Sequence, residues 1–178
     1  IPSIFLEMGV RSQMEASIYG SAFGLGGIPG MLLFGLASDF FLRKWGITRK
    51  MVLVFSLFLS AAFLLLGGFY FRQWMELYLF VILVGVLGFF ITGLWPPLYA
   101  MIAQASPPQY LGTVFGLSNS VAFLGAILAP ILAGFIKDQT QSFAWSFYLG
   151  VLILGIAALL ALFIPSPKKS PGIDDSST

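Results

Sequence analysis

Five long apolar runs constrain this chain more than any other feature of its sequence. They lie at about 17–38, 51–71, 77–103, 111–135 and 143–164. A helix that crosses about 30 Å of hydrocarbon needs roughly 20 mainly apolar residues, so each run is long enough to span a bilayer. The chain is 58% hydrophobic and 9% charged, whereas soluble domains carry about a quarter charged residues. The sequence therefore predicts an all-α integral membrane protein, a helical bundle with five transmembrane helices.

Three segments follow from these runs. Residues 17–164 are predicted to form the five-helix transmembrane domain. Residues 1–16 are predicted to hold the end of a preceding helix and an outer loop, which makes the chain a fragment of a longer multi-pass protein. Residues 165–178 are rich in Ser, Pro, Lys and Asp, a composition typical of a disordered tail.

The basic residues predict how the spans are oriented. Five spans put alternate connections on opposite faces, and one face collects six bases while the other collects three. The six are Arg43, Lys44, Arg49, Lys50, Lys168 and Lys169; the three are Arg11, Arg72 and Lys137. The positive-inside bias therefore predicts a cell (inner or plasma) membrane protein whose 35–50 turn and C-terminal tail are cytoplasmic.

The residue types exclude several functions. There is no Cys and no His, and no acidic or basic residue lies in the middle of any span, so neither a metal site nor acid–base chemistry is indicated. We expect no enzyme activity and no cofactor. No phosphate-binding loop of a primary pump occurs. The net charge of +2, with bases only at the ends of apolar runs, argues against nucleic-acid binding.

Glycine is distributed unevenly among the spans. The first span carries Gly20 and Gly24, then Gly26 and Gly30, and the fourth carries Gly112 and Gly116, each pair four residues apart. Small residues at this spacing let another helix approach closely. The second and fifth spans hold bulkier residues and suit a lipid-facing position. The sequence thus predicts a bundle in which some spans line an interior and others form an outer scaffold.

The polar turn between the first two spans carries a family resemblance. Gly35-x-x-x-Asp39 followed by Gly46-x-x-Arg49-Lys50 resembles the cytoplasmic loop signature of the major facilitator superfamily. Two further matches are Gly112-x-x-x-Gly116-x-x-Asn119, similar to the family's penultimate helix, and Trp95-Pro96-Pro97, similar to the end of the helix before it. The resemblance implies that the five spans are the last five of twelve helices, with the N-terminal half of the same transporter as partner.

A finer resemblance concerns one branch of the superfamily. The long turn, its Arg43-Lys44 insert and Gln141-Ser142-Phe143 before the last helix resemble the anion:cation symporter, or organic anion, branch. The resemblance implies a secondary active transporter that moves a small organic solute by alternating access. In this branch the solute would be an organic anion, and the coupling ion would be H+ or Na+. Two alternatives stay open: a non-transporting receptor or scaffold on the same fold, and a multidrug efflux carrier.

The resemblance also assigns roles to the residues of the turn. Asp39 would latch the inner gate, Gly35 would permit close helix approach, and Arg43, Arg49 and Lys50 would be partners of the acid. Gly46 belongs to the same gating loop. The alternative is that these bases only anchor the turn in the cytoplasm.

Four residues are candidates for the solute cavity. Asn119, with Ser118 beside it, lies within the fourth span, where its amide can bind a carboxylate or a hydroxyl group. The alternative is that Asn119 joins two helices, as Asn often does in membranes. Trp95 and Tyr99 either line the cavity or stand at the inner membrane interface.

Overall fold

The chain forms a bundle of helices, and its computed structural model describes residues 2–71 and 76–164. The predicted tail at 165–178 and Arg72 lie outside the described residues, so the predictions about them stay predictions. The helices are α1 Pro2–Glu7, α2 Gln13–Gly20, α3 Ala22–Trp45, α4 Arg49–Phe71, α5 Leu77–Gly93, α6 Trp95–Ala105, α7 Leu111–Thr140 and α8 Ala144–Phe163, with a 3-10 turn at Pro108–Tyr110. No strand occurs among the described residues.

The predicted set of five membrane spans is confirmed. The described segments long and apolar enough to cross a membrane are Gln13–Trp45, Arg49–Phe69, Leu77–Ala105, Pro108–Thr140 and Ala144–Phe163. Two of them are each built from two helices. The third span breaks at Leu94, immediately before α6, whose first turn contains Pro96 and Pro97. Proline has no N–H to donate, so it suits a first helical turn, whereas inside a helix, as at Pro29 of α3 and Pro130 of α7, it leaves a backbone carbonyl without its usual partner.

Glycine determines how α3 packs. This helix runs along α5, and α4 runs along α8. A Cβ atom added at Gly26 would collide with the carbonyl oxygen of Gly85, and one added at Gly30 with that of Phe89. The predicted close approach is therefore present at these two positions. A Cβ at Gly24 would meet nothing within 4 Å.

Aromatic and aliphatic side chains fill the spaces between the other helices. Phe5 of α1, Phe80 of α5 and Phe147 of α8 belong to one buried cluster. Hydroxyl groups inside the bundle are paired: Ser56 Oγ donates to the carbonyl of Phe90 at 2.6 Å, and Thr92 Oγ1 to that of Gly27 at 2.8 Å. Such pairing is required because the bilayer core offers no water to an unpaired polar group.

Side-chain contacts identify which helix ends lie together. At one end the Lys50 Nζ atom, at the start of α4, donates to the carbonyls of Leu162 at 3.1 Å and Ile164 at 3.0 Å, at the end of α8. At the other end Glu7 Oε2 lies 3.3 Å from Lys137 Nζ. The α3–α4 turn therefore shares one end of the bundle with the C-terminus of α8.

Helix α7 differs from the rest because the described chain covers it so little. None of its residues is buried. A Cβ added at Gly112, Gly116, Gly125 or Gly134 would meet nothing within 4 Å. By contrast α4, which its bulky sequence suggests is an outer helix, is the most covered span of the described chain. Three of these glycines, Gly112, Gly116 and Gly134, lie within about 40° of one another around α7 and so share one uncovered face.

Candidate functional site

The turn between α3 and α4 depends on Gly46. This residue ends α3 with φ of 66°, a left-handed conformation that costs glycine little but most other residues more. The amide of Ile47 then donates to the carbonyl of Phe41 at 3.2 Å, which closes the helix end. The chain consequently reverses within three residues and α4 begins at Arg49.

An ion pair bridges this turn. Arg49 Nη2 donates to Asp39 Oδ1 at 2.6 Å, joining the last turns of α3 to the first residue of α4. The Asp39 side chain is 55% exposed, whereas that of Arg49 is 18% exposed. Arg49 also has a buried Nε atom without a hydrogen-bond partner among the described residues. The guanidinium group therefore has a buried Nε–H group left to donate.

The remaining residues of the predicted gate serve different contacts. Gly35 faces α6, where an added Cβ would stand 3.4 Å from the Cβ of Pro96. Lys50 binds α8 rather than Asp39. Arg43 is exposed and makes no ion pair or hydrogen bond with a described residue. The structure thus brings Asp39 and Arg49 together and leaves Arg43 apart.

The predicted cavity residues meet at the contact between α6 and α7. The hydroxyl of Tyr99 donates to Asn119 Oδ1 at 2.6 Å. The Tyr99 ring lies 5.5 Å from that of Trp95 and 5.4 Å from that of Phe115, centroid to centroid. Phe115 was not predicted as a cavity residue, although it precedes Asn119 by four positions and so shares its helix face.

This contact lies away from the ends of both helices. Asn119 is eight residues after the start of α7 and Tyr99 six before the end of α6, which places them about 12 and 9 Å from the helix ends. The NH₂ group of Asn119 has no hydrogen-bond partner among the described residues, and neither does the hydroxyl of Ser118. By contrast Ser120 Oγ donates to the carbonyl of Gly116, on its own helix, at 2.9 Å. Two neighbouring polar groups are therefore left to bind something else.

A second contact at the opposite end also escaped prediction. Glu7 pairs with Lys137 and also lies 3.5 Å, through Oε1, from the amide of Phe143, while Lys137 Nζ stands 4.4 Å from the Phe143 ring centroid. The sequence offers one signal for this pair: Glu7 and Lys137 have opposite charges, and the alternation of the spans puts both at the same end of the bundle.

Comparison with known proteins places this architecture in a family. Residues 2–177 match the family model described as Major Facilitator Superfamily. The chain belongs to the Major Facilitator Superfamily. As a member it is a multi-pass membrane protein, and the predictions of family and of fold class are both confirmed.

Superfamily members with related sequences carry names that concern sugar derivatives. The chain is 33% identical over 163 residues to the "Probable hexose phosphate transport protein" of Chlamydia trachomatis, covering 89% of this chain and 33% of that protein. It is 28% identical over 176 residues to the "Probable galactarate/D-glucarate transporter" of Bacillus subtilis, covering 94% and 36%. It is 29% identical over 153 residues to the "Probable L-galactonate transporter" of Escherichia coli, covering 83% and 33%. The chain thus spans about a third of the length of these relatives.

Proposed function

We propose that this chain is the C-terminal half of a secondary transporter that moves a small organic solute across the cell membrane by alternating access. The observation that carries the proposal is the Tyr99–Asn119 hydrogen bond, which lies within a membrane span on a helix that the described chain leaves uncovered. Both residues present polar groups where lipid alone would penalise them. A water-filled cavity between two halves of a transporter accounts for that placement.

The N-terminal half of the same transporter is the proposed partner of α7. Small residues favour helix–helix contact in membranes, and Gly112 and Gly116 stand on this helix with nothing within 4 Å of an added Cβ. In this proposal residues 1–16 belong to the preceding helix and an outer loop, and residues 165–178 form a cytoplasmic tail. The turn at 35–50 then faces the cytoplasm.

The proposed solute is a small polyhydroxylated organic anion. Three relatives carry names of a hexose phosphate, galactarate or D-glucarate, and L-galactonate. The NH₂ group of Asn119 and the hydroxyl of Ser118 suit hydroxyl or carboxylate oxygens of such a solute. No basic residue lies in the middle of a span, so the charge that balances the anion, and any group that binds a coupling H+ or Na+, would come from the rest of the transporter.

The proposed inner gate is the ion pair of Asp39 and Arg49. A gate needs two arrangements of similar free energy. The Nε group of Arg49 is buried without a partner among the described residues, and an unmade hydrogen bond of this kind costs free energy. An acceptor from the other half of the transporter would satisfy it in a second arrangement, so Arg49 is the residue that we expect to exchange partners.

Uptake by the full-length protein tests this function. Purified protein in vesicles is given radiolabelled D-glucarate, galactarate, L-galactonate or hexose 6-phosphate, with and without a gradient of H+ or Na+. We expect saturable uptake of at least one of them, and lower apparent affinity in Asn119→Ala than in Ser120→Ala. Saturable binding without uptake would favour a receptor, and efflux of unrelated apolar dyes a multidrug carrier; either result would contradict the proposal.

A further inference from the structure

An apolar groove lies between α3 and α4, apart from the α6–α7 contact. Its volume is about 610 Å³, and it sits at the end of the bundle that holds the α3–α4 turn. Almost all of its surface is carbon. Its walls include Leu33, Ala37 and Phe41 of α3 and Met51, Val52 and Phe55 of α4. The two helices diverge here, because each packs mainly against a different neighbour, α3 against α5 and α4 against α8.

The groove walls differ from the close contact that glycine makes between α3 and α5. Helix contacts in membranes favour small residues that let backbones approach, as Gly30 does where α3 meets α5. The groove is lined instead by bulky side chains such as Leu33 and Phe55, and no glycine is among its lining residues. An open apolar groove with bulky walls is suited to a hydrocarbon chain.

The turn end of the groove carries a cation without a carboxylate partner. Ala37, Phe41 and Lys44 are spaced four and three residues apart, so they share one face of α3. Lys44 Nζ lies 5.3 Å from the ring centroid of Phe40 and 5.7 Å from that of Trp45. Lys44 makes no ion pair within the described chain, where the nearby Asp39 is bound to Arg49.

Trp45 lies beside this end of the groove, against the lining residue Phe41. Its ring stacks on that of Phe41, with centroids 5.3 Å apart and planes at 11°, and its side chain is 60% exposed. Indole rings favour the headgroup level of a bilayer, where the ring meets apolar chains and the N–H group meets polar atoms. The acyl chain of a lipid lying in the groove would thus place its phosphate beside a lysine and an indole N–H.

We propose that the α3–α4 groove is a binding site for one anionic phospholipid, whose acyl chain lies against Ala37 and Phe41 and whose phosphate is bound by Lys44 and Trp45. Charge complementarity selects this occupant, because a lysine at the surface of an anionic leaflet attracts its headgroups. The site is separate from the α6–α7 contact. Lipid binding there is therefore expected whatever solute the transporter carries.

Native mass spectrometry of the full-length protein tests the site. Detergent-purified protein is titrated with phosphatidylglycerol or with phosphatidylcholine, and the dissociation constant of the first bound lipid is measured. We expect phosphatidylglycerol to bind more tightly, and Lys44→Gln to weaken it about fivefold. The matched control is Arg43→Gln, which removes the same charge one position earlier, about 100° around the helix. This control is expected to leave the affinity unchanged.

Two further results decide the proposal. Ala37→Phe fills the groove and is expected to weaken binding of both lipids, which tests the place of the acyl chain independently of charge. Equal weakening by Lys44→Gln and Arg43→Gln would show diffuse attraction and overturn the site. An unchanged lipid affinity in Lys44→Gln would also overturn the site. So would a protein dimer that Ala37→Phe abolishes while lipid binding stays the same. If Ala37→Phe does not fold, the comparison of the two charge variants decides alone.

Discussion

Asp39 and Arg49, ten positions apart, are joined across the α3–α4 turn by an ion pair of 2.6 Å. The next residue, Lys50, binds the last carbonyls of α8. The first two residues of α4 therefore hold the ends of α3 and α8 together. A movement of this turn would be transmitted to both helices.

Breaking the ion pair should impair transport more than it impairs folding. An ion pair with a half-exposed carboxylate contributes about 0–1 kcal/mol to stability, so Asp39→Asn should still insert into the membrane. We expect its initial rate of solute uptake, per amount of protein, to fall well below that of the parent. The double variant Asp39→Arg with Arg49→Asp should recover part of the rate, whereas Arg43→Gln should be close to the parent. Unchanged uptake in Asp39→Asn would remove the gate assignment.

Loss of the tyrosine hydroxyl should weaken solute binding. Tyr99→Phe keeps the ring contacts with Trp95 and Phe115 but frees Asn119 Oδ1 and lets the amide turn. Since one hydrogen bond contributes about 0.5–1.5 kcal/mol, we expect the half-saturating solute concentration to rise about two- to tenfold. Ser120→Ala is the control, because that hydroxyl binds its own helix. If Tyr99→Phe and the parent have equal half-saturating solute concentrations, the Tyr99–Asn119 pair lies outside the solute path.

The spans and the turn could be predicted from sequence because both are local. Length and apolarity define a span, and Gly46 marks the reversal after α3. The pairing of helices could not be predicted. The spacing of Gly26 and Gly30 indicates that another helix packs closely against α3, but it does not indicate that this helix is α5. The meeting of Tyr99 with Asn119 depends on how α6 and α7 reverse around Pro107 and Pro108, and the contact of Lys50 with α8 spans more than a hundred positions.

The close packing of α3 on α5 predicts that alanine at Gly30 destabilises the protein more than alanine at Gly155. At Gly30 the added Cβ would collide with the carbonyl oxygen of Phe89, whereas at Gly155 on α8 it would meet nothing within 4 Å. Overpacking typically costs about 1–3 kcal/mol. We therefore expect Gly30→Ala, but not Gly155→Ala, to lower the temperature at which half of the purified full-length protein loses its monodisperse peak on gel filtration. Equal temperatures for the two variants would contradict the helix pairing.

The orientation of the bundle predicts which positions react from outside the cell. Lys44 and Gln139 lie near opposite ends of the bundle, and both are exposed. In a cysteine-free full-length background, we expect a membrane-impermeant maleimide to label Gln139→Cys on intact cells and Lys44→Cys only after the cells are opened. Labelling of Lys44→Cys but not of Gln139→Cys on intact cells would mean that the proposed gate faces the outside of the cell.

We propose that the α6–α7 contact borders a water-filled path for solute. A charged, water-soluble methanethiosulfonate should then react with Ser118→Cys in membranes that contain the full-length cysteine-free protein. Ile156→Cys is the control, because it lies seven residues before the end of α8, as Ser118 lies seven residues after the start of α7 at the same end of the bundle, and it is 49% exposed on the bundle surface. We predict that Ser118→Cys reacts, that transported solute slows this reaction, and that Ile156→Cys does not react. Equal rates at the two positions, or no reaction at Ser118→Cys, would show that no water-filled path borders this contact.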